Sequence, residues 1–229
     1  MPLLTNEYTD ATALTTDFAK KIITILDTAI AEKGQASLIV SGGNTPKPLF
    51  AELAQADIDW SKVIISLADD RWVEVTDDAS NDKLVREHLL VKHAAAATFI
   101  SLKQDMADAN DAVVICEQAL AAVTLPFDVL ILGMGEDGHT ASLFPCSAQL
   151  QAGLDMHSGH TYIAVSPTTA PHQRMSLTLP ALLNANNIFL HLTGASKKAV
   201  IAQALLTSPV QMPIKAIIDH ADVNLMWAP

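Results

Sequence analysis

Short apolar runs recur along the chain, SLIV at 37–40, VIISL at 63–67, FDVLIL at 127–132, TYIAV at 161–165 and IFLHL at 188–192, with longer stretches of helical spacing between several of them. Runs of this length read as buried strands, and strands that alternate with helices imply an α/β fold with a mostly parallel central sheet flanked by helices, a Rossmann-like arrangement. The first helix spans 10–33, where Leu14, Phe18, Ile22, Ile25, Leu26 and Ala29 fall on one face and Gly34 ends the pattern. After SLIV come Ser41-Gly42-Gly43 and then Pro46, a suitable first residue for a helix over KPLFAELAQ. Ser80 or Asn81 caps the next helix, and others are predicted at about 106–122 and over 194–206. KAII at 215–218 is a further strand candidate, and 146–160 is the most irregular stretch. No linker or repeat interrupts the chain, so residues 1–229 read as a single domain.

Composition narrows the function. Half of the residues are hydrophobic, yet no uninterrupted apolar run reaches the roughly 18 residues a membrane helix needs. The start, MPLLTNEYTD, has no basic segment followed by an apolar one, so no secretory signal is read and a cytoplasmic location is expected. A formal charge of −11 argues against nucleic-acid binding, which relies on clustered Lys and Arg. Cys116 and Cys146 are too few for a disulfide framework and lack metal-binding spacing, so both read as buried or incidental thiols.

Five of the nine glycines lie in two loops that follow strands, SGGNT at 41–45 and GMGEDG at 133–138. In an open α/β sheet, ligands bind beyond the carboxyl ends of strands. Glycine lets a ligand approach the main chain there. In the first loop Ser41, Gly42, Gly43, Asn44 and Thr45 offer hydroxyl, amide and backbone N–H groups beside a helix start, a setting that suits an anion. Without the Lys of a Walker loop, a sugar phosphate fits better than a nucleoside triphosphate. The second loop has the G-x-G-x-x-G spacing of a dinucleotide fingerprint. Glu136 and Asp137, however, would repel a pyrophosphate, and Asp155, about 20 residues on, does not end a strand. What remains is Gly135 at a close-approach position and an Asp137–His139 pair, an imidazole suited to proton transfer near neutral pH with an acid beside it. His88, His93, His157, His160, His172, His191 and His220 read as structural. Arg71 in DDRWV, Arg174 in APHQRMSLTLP and Lys197 in GASKK stand at segment ends, and among only 14 Lys and Arg that distribution suggests a local positive pocket.

Taken together, SGGNTPKPLF, DDRWV, Ser80-Asn81, FDVLILGMGEDGHTASLFP, the R-x-S-L-T-L run at 174–179 and the G-x-x-K at 194–197 resemble the 6-phosphogluconolactonase family. The resemblance runs from residue 41 to about 197. It implies a fold similar to those of glucosamine-6-phosphate deaminases and ribose-5-phosphate isomerases. The implied activity is hydrolysis of 6-phospho-D-glucono-1,5-lactone to 6-phosphogluconate, in the oxidative branch of the pentose phosphate pathway, with no metal or organic cofactor. His139 matches the family's general base with Asp137 beside it, and Asp69 and Arg71 match its D-E-R motif, Asp70 standing where Glu is usual. The SGG turn, Arg174 and Lys197 match positions assigned to the substrate's phosphate. The expected partner is the sugar-phosphate lactone alone, the chain acting as a monomer or weak homodimer.

Two other readings compete. A glucosamine-6-phosphate deaminase usually follows its Gly-His pair with isoleucine and an asparagine-glutamate-proline run, whereas Thr140-Ala141-Ser142-Leu143-Phe144-Pro145 follows here. A sugar-phosphate sensor of the transcription-regulator type would need a basic recognition helix, and the sequence offers none.

Overall fold

A computed structural model describes residues 3–229. Through its first half the chain runs β1 (Leu3–Glu7), α1 (Ala11–Lys33), β2 (Ala36–Val40), α2 (Lys47–Leu53), β3 (Val63–Leu67), β4 (Asp69–Arg71), α3 (Asn81–His88), β5 (Thr98–Ile100) and α4 (Val113–Leu120). It continues through β6 (Val129–Leu132), α5 (Leu150–Leu154), β7 (Tyr162–Val165), β8 (Arg174–Leu177), α6 (Leu179–Leu183), β9 (Ile188–Thr193), α7 (Ala195–Ala204), α8 (Ile214–His220) and β10 (Val223–Ala228).

Seven strands form one sheet in the order β1-β10-β9-β6-β2-β3-β5, every neighbouring pair parallel. Helices cover both faces of such a sheet, which is why β2, β3 and β6 are buried at every residue and appear in the sequence as unbroken apolar runs. The α1 helix begins where Asp10 accepts the Ala13 N–H at 2.9 Å and ends at Gly34, whose φ of 78° is left-handed. Its inner face is Leu14, Phe18, Ile22 and Leu26, with Ile25 at the margin.

From β2 the chain crosses to β3 on one side, while β6 leads to β9 on the other, and β2 and β6 are neighbours. The connections therefore diverge between these two strands and leave a crevice at their carboxyl ends. At the amino ends the gap is closed instead. The Asp128 carboxylate accepts the Ser37 N–H at 2.8 Å and pairs with Lys33 at 2.6 Å, tying α1 and β2 to the start of β6.

Three expectations need correction. Residues 215–218 belong to α8, not to a strand. Pro213 starts the helix, Lys215 pairs with Asp219 one turn on, and Ile214, Ile217 and Ile218 face the core, a spacing that a four-residue run cannot reveal. The helix at 106–122 is shorter, a 3-10 turn at 109–112 leading into α4. The TYIAV strand is real but belongs to a second, antiparallel sheet in the order β4-β8-β7. The stretch 146–160 contains α5, whose Gly153 packs against Leu143.

Candidate active site

The two glycine loops meet where β2 and β6 end, and together they border a cavity of about 270 Å³. Ser41, Gly42, Gly43 and Thr45 line it. Gly43 turns the chain with a φ of 101°, and Gly42 leaves no room for a side chain because a Cβ there would stand 1.8 Å from Asn81 Oδ1. Asn44 does not belong to the wall as expected. It is exposed at the outside of the turn, where its carbonyl accepts the Lys47 N–H at 3.3 Å.

In the second loop His139 Nδ1 lies 2.6 Å from Asp137 Oδ1, which also accepts the His139 N–H at 3.1 Å. Side chains two apart meet because the loop folds back on itself. The Gly138 N–H donates to Gly135 O at 3.2 Å, the Gly135 N–H to His139 O at 2.9 Å, and Gly138 has a φ of 73°. A carboxylate at Nδ1 selects the tautomer protonated there and leaves the Nε2 lone pair free to accept a proton. Gly135 lines the cavity, but its smallness serves the histidine: a Cβ would lie 2.1 Å from Nδ1. On another side the Phe144 ring stacks on the imidazole, centroids 4.1 Å apart at 29°.

The small sheet supplies the opposite wall. Antiparallel pairing of β4 with β8 puts Arg71 directly across from Arg174. Like charges so placed oppose sheet formation. The side chains gain little relief, since Arg71 Nη1 donates to Ala79 O at 2.6 Å and Arg174 Nη2 to Pro171 O at 3.1 Å, both neutral carbonyls. Arg174 is only 6% exposed, and its Nε is buried without a partner. Burial lowers its pKa, Asp69 opposes that shift and Arg71 adds to it. Lys197 near the start of α7 is the third cation of the wall, held at 2.8 Å by the exposed Glu136.

Asp69, 7% exposed, joins the two walls. Its Oδ2 accepts the Ser142 hydroxyl at 2.5 Å, and the Ser142 N–H donates to Ser176 Oγ at 3.0 Å, on the residue that pairs with Asp69 across the sheet. These bonds hold Ala141 at a φ of 45°, a left-handed conformation costly for a residue with a Cβ. Asp70 points elsewhere, to the start of α3, and accepts the N–H groups of Asn81 at 2.7 Å and Asp82 at 3.0 Å. Burial pushes its carboxyl up to about 7 against those donors. Ser80, not Asn81, is the N-cap, and Asn81 turns into the cavity wall while donating to Asp69 O at 2.8 Å.

Four residues of the site escaped the sequence reading in this role: Asn81, Ser142, Phe144 and His191. His191, read from the sequence as structural, lies in the cavity floor. A polar residue inside an otherwise apolar strand end, just ahead of G-x-x-K, was the available signal. The site is also where unmet hydrogen bonding collects. Of seven buried side-chain polar atoms without a partner among the described residues, four belong to the cavity wall: Ser41 Oγ, Asn81 Oδ1, Arg174 Nε and His191 Nδ1. Such atoms are uncommon in folded proteins and call for a ligand or another explanation. No cluster of three or more His, Cys, Asp or Glu placed to hold a metal occurs among the described residues.

Comparison with known proteins gives a consistent result. The profile of the family described as glucosamine-6-phosphate isomerases/6-phosphogluconolactonase matches residues 9–227. A 6-phosphogluconolactonase of Pseudomonas putida is 42% identical over 98% of this chain and 92% of its own length. The crystal structure of a 6-phosphogluconolactonase from Shewanella baltica superposes with a TM-score of 0.97 at 43% identity, covering 100% of this chain and 98% of that one. A monomeric glucosamine-6-phosphate deaminase shares the fold alone, with a TM-score of 0.82 at 16% identity over 99% of this chain and 97% of its own.

Proposed function

The chain belongs to the glucosamine-6-phosphate isomerase/6-phosphogluconolactonase family, and we propose that it hydrolyses 6-phospho-D-glucono-1,5-lactone to 6-phosphogluconate with His139 as the base. The observation that carries this reading is the pair of facing arginines, 71 and 174, neither in a salt bridge among the described residues, in the wall of the cavity that also holds the Asp137–His139 pair. A phosphate answers the cations, and a reactive ester answers the imidazole. Ser41, Gly42 and Gly43, which line the same cavity, add hydrogen bonds to the anion in this reading, and Lys197 exchanges Glu136 for it.

In the reaction, neutral His139 takes a proton from water through Nε2 as the oxygen attacks the lactone carbonyl. The C1–O bond forms, negative charge gathers on the carbonyl oxygen, and the imidazolium then gives its proton to the ring oxygen as the C1–ring oxygen bond breaks. Asp137 orients the ring and stabilises the imidazolium. Asp69, through Ser142, holds the loop of His139 at a fixed distance from the arginines, so that anchoring the phosphate also sets the carbonyl against the base.

Proton release tests this directly. Freshly made phosphorylated lactone should be turned over in clear excess of unphosphorylated gluconolactone, and glucosamine 6-phosphate should release no ammonia. Ammonia release would place the chain with the deaminases, and equal rates on the two lactones would remove the phosphate from recognition.

A further inference from the structure

We infer that His191 recognises a hydroxyl group of the substrate, so that the floor of the cavity selects a polyhydroxy ligand while the arginines select its phosphate. The inference rests on the lactonase reading for the nature of the ligand. His191 is on β9, beside β6, and is 5% exposed; its ring packs edge-on against Phe18 of α1 with centroids 5.3 Å apart. Its Nδ1 is buried with no hydrogen-bond partner among the described residues. Burying such a group unpaired is costly, and a purely apolar residue would fill the strand position at lower cost.

The chemistry of the floor narrows the ligand group. The strand residues that line the cavity with His191, namely Ile131, Leu132, Leu192 and Thr193, carry no charge, and burial keeps the imidazole neutral with its pKa down at about 4. A neutral imidazole brings one N–H donor and one lone pair. A hydroxyl can meet either nitrogen, accepting from the N–H or donating to the lone pair, whereas phosphate and carbonyl oxygens can meet only the N–H. Being neutral, His191 is not one of the cations that meet the phosphate, a part left to Arg71, Arg174 and Lys197.

The test compares wild type with His191→Phe, which keeps a flat ring and removes both polar atoms, and with His191→Asn, which restores a donor and an acceptor. Affinity for 6-phosphogluconate and for inorganic phosphate is measured by calorimetry, alongside kcat/KM on the phosphorylated lactone and the melting temperature. The Phe variant should bind 6-phosphogluconate about tenfold more weakly, the scale of a lost hydrogen bond, with kcat/KM down by a similar factor. Its affinity for inorganic phosphate should stay within about twofold and its melting temperature should not fall, while Asn should recover part of the loss. Affinity for 6-phosphogluconate within twofold of wild type overturns the assignment, as does an equal loss for inorganic phosphate, which would indicate distortion of the whole cavity. Wild-type turnover is scored separately: its absence sinks the lactonase reading, and the binding comparison still decides on His191.

Discussion

The position of the His139 ring is set by what surrounds it within a few residues. The imidazole is fixed by Asp137 at one nitrogen, by Phe144 on its face and by the bare backbone of Gly135 beside it. His139→Asn should therefore lower kcat by about 10²-fold or more, the usual scale for loss of a general base. Gly135→Ala should approach the same loss although it removes no catalytic atom, since the new methyl group takes the space of Nδ1; steady-state kinetics beside an unchanged circular dichroism spectrum would separate displacement from unfolding. A methyl tolerated at Gly135 would show that the pair is held less tightly than this. His191 gives the residue scale a pH signature. Its folded pKa of about 4 lies below the usual 6.5, so the unfolded chain binds the proton first and stability falls as pH drops from about 6.5 to about 4. The difference amounts to roughly 3 kcal/mol at most. Asp70 acts with the opposite sign, its raised pKa making stability fall as pH rises between about 4 and 7. Because Asp70 is common to both proteins, urea unfolding of wild type and His191→Phe at pH 7 and pH 4.5 isolates the histidine: the Phe variant should lose less on acidification.

At the scale of the elements, β4 and β8 matter more than their three and four residues suggest. They place Arg71 against Arg174 and Asp69 against Ser176, and Asp69 carries the strut to Ser142. Ser142→Ala should cut the strut while leaving the phosphate groups intact. The expected outcome is a fall in kcat of about tenfold with little change in affinity for inorganic phosphate, since orientation and not charge is lost. The α3 helix is a contrasting case, stabilised by its caps. Ser80 Oγ accepts the Lys83 N–H at 3.2 Å, and Ser80→Ala should cost about 1 kcal/mol in denaturant unfolding. The short elements were also the least legible. DDRWV and R-x-S-L show no alternation over enough residues to mark a strand, and their pairing spans about a hundred positions of sequence. KAII failed for the converse reason: it is apolar enough for a strand, but Pro213 and the spacing of its isoleucines made it a helix, and the last strand, VNLMWA, followed it.

The whole molecule divides its labour between the two ends of the sheet. Arg71, Arg174, Lys197, the Asp137–His139 pair and four of the unpartnered atoms gather at the carboxyl ends, and the Lys33–Asp128–Ser37 tie locks the amino ends. Asp128→Ala should therefore lower stability by roughly 1–3 kcal/mol, the cost of leaving buried donors unmet, while kcat and KM remain those of wild type. A change in KM would show that the two ends are coupled. Much of this layout is written locally. Apolar run lengths announce buried parallel strands, glycine and proline mark where strands pass into helices, and the GMGEDGHTASLFP stretch carries Asp137, His139 and the room they need within a few positions. No local pattern could state that Arg71 faces Arg174, that Asp69 reaches Ser142, that Asn44 turns outward or that His191 lines a cavity floor. Those facts depend on strand order and on pairings between residues distant along the chain. Chain connectivity controls which groups are near in sequence, whereas only the assembled sheet controls which buried polar atoms line one cavity without a partner among the described residues.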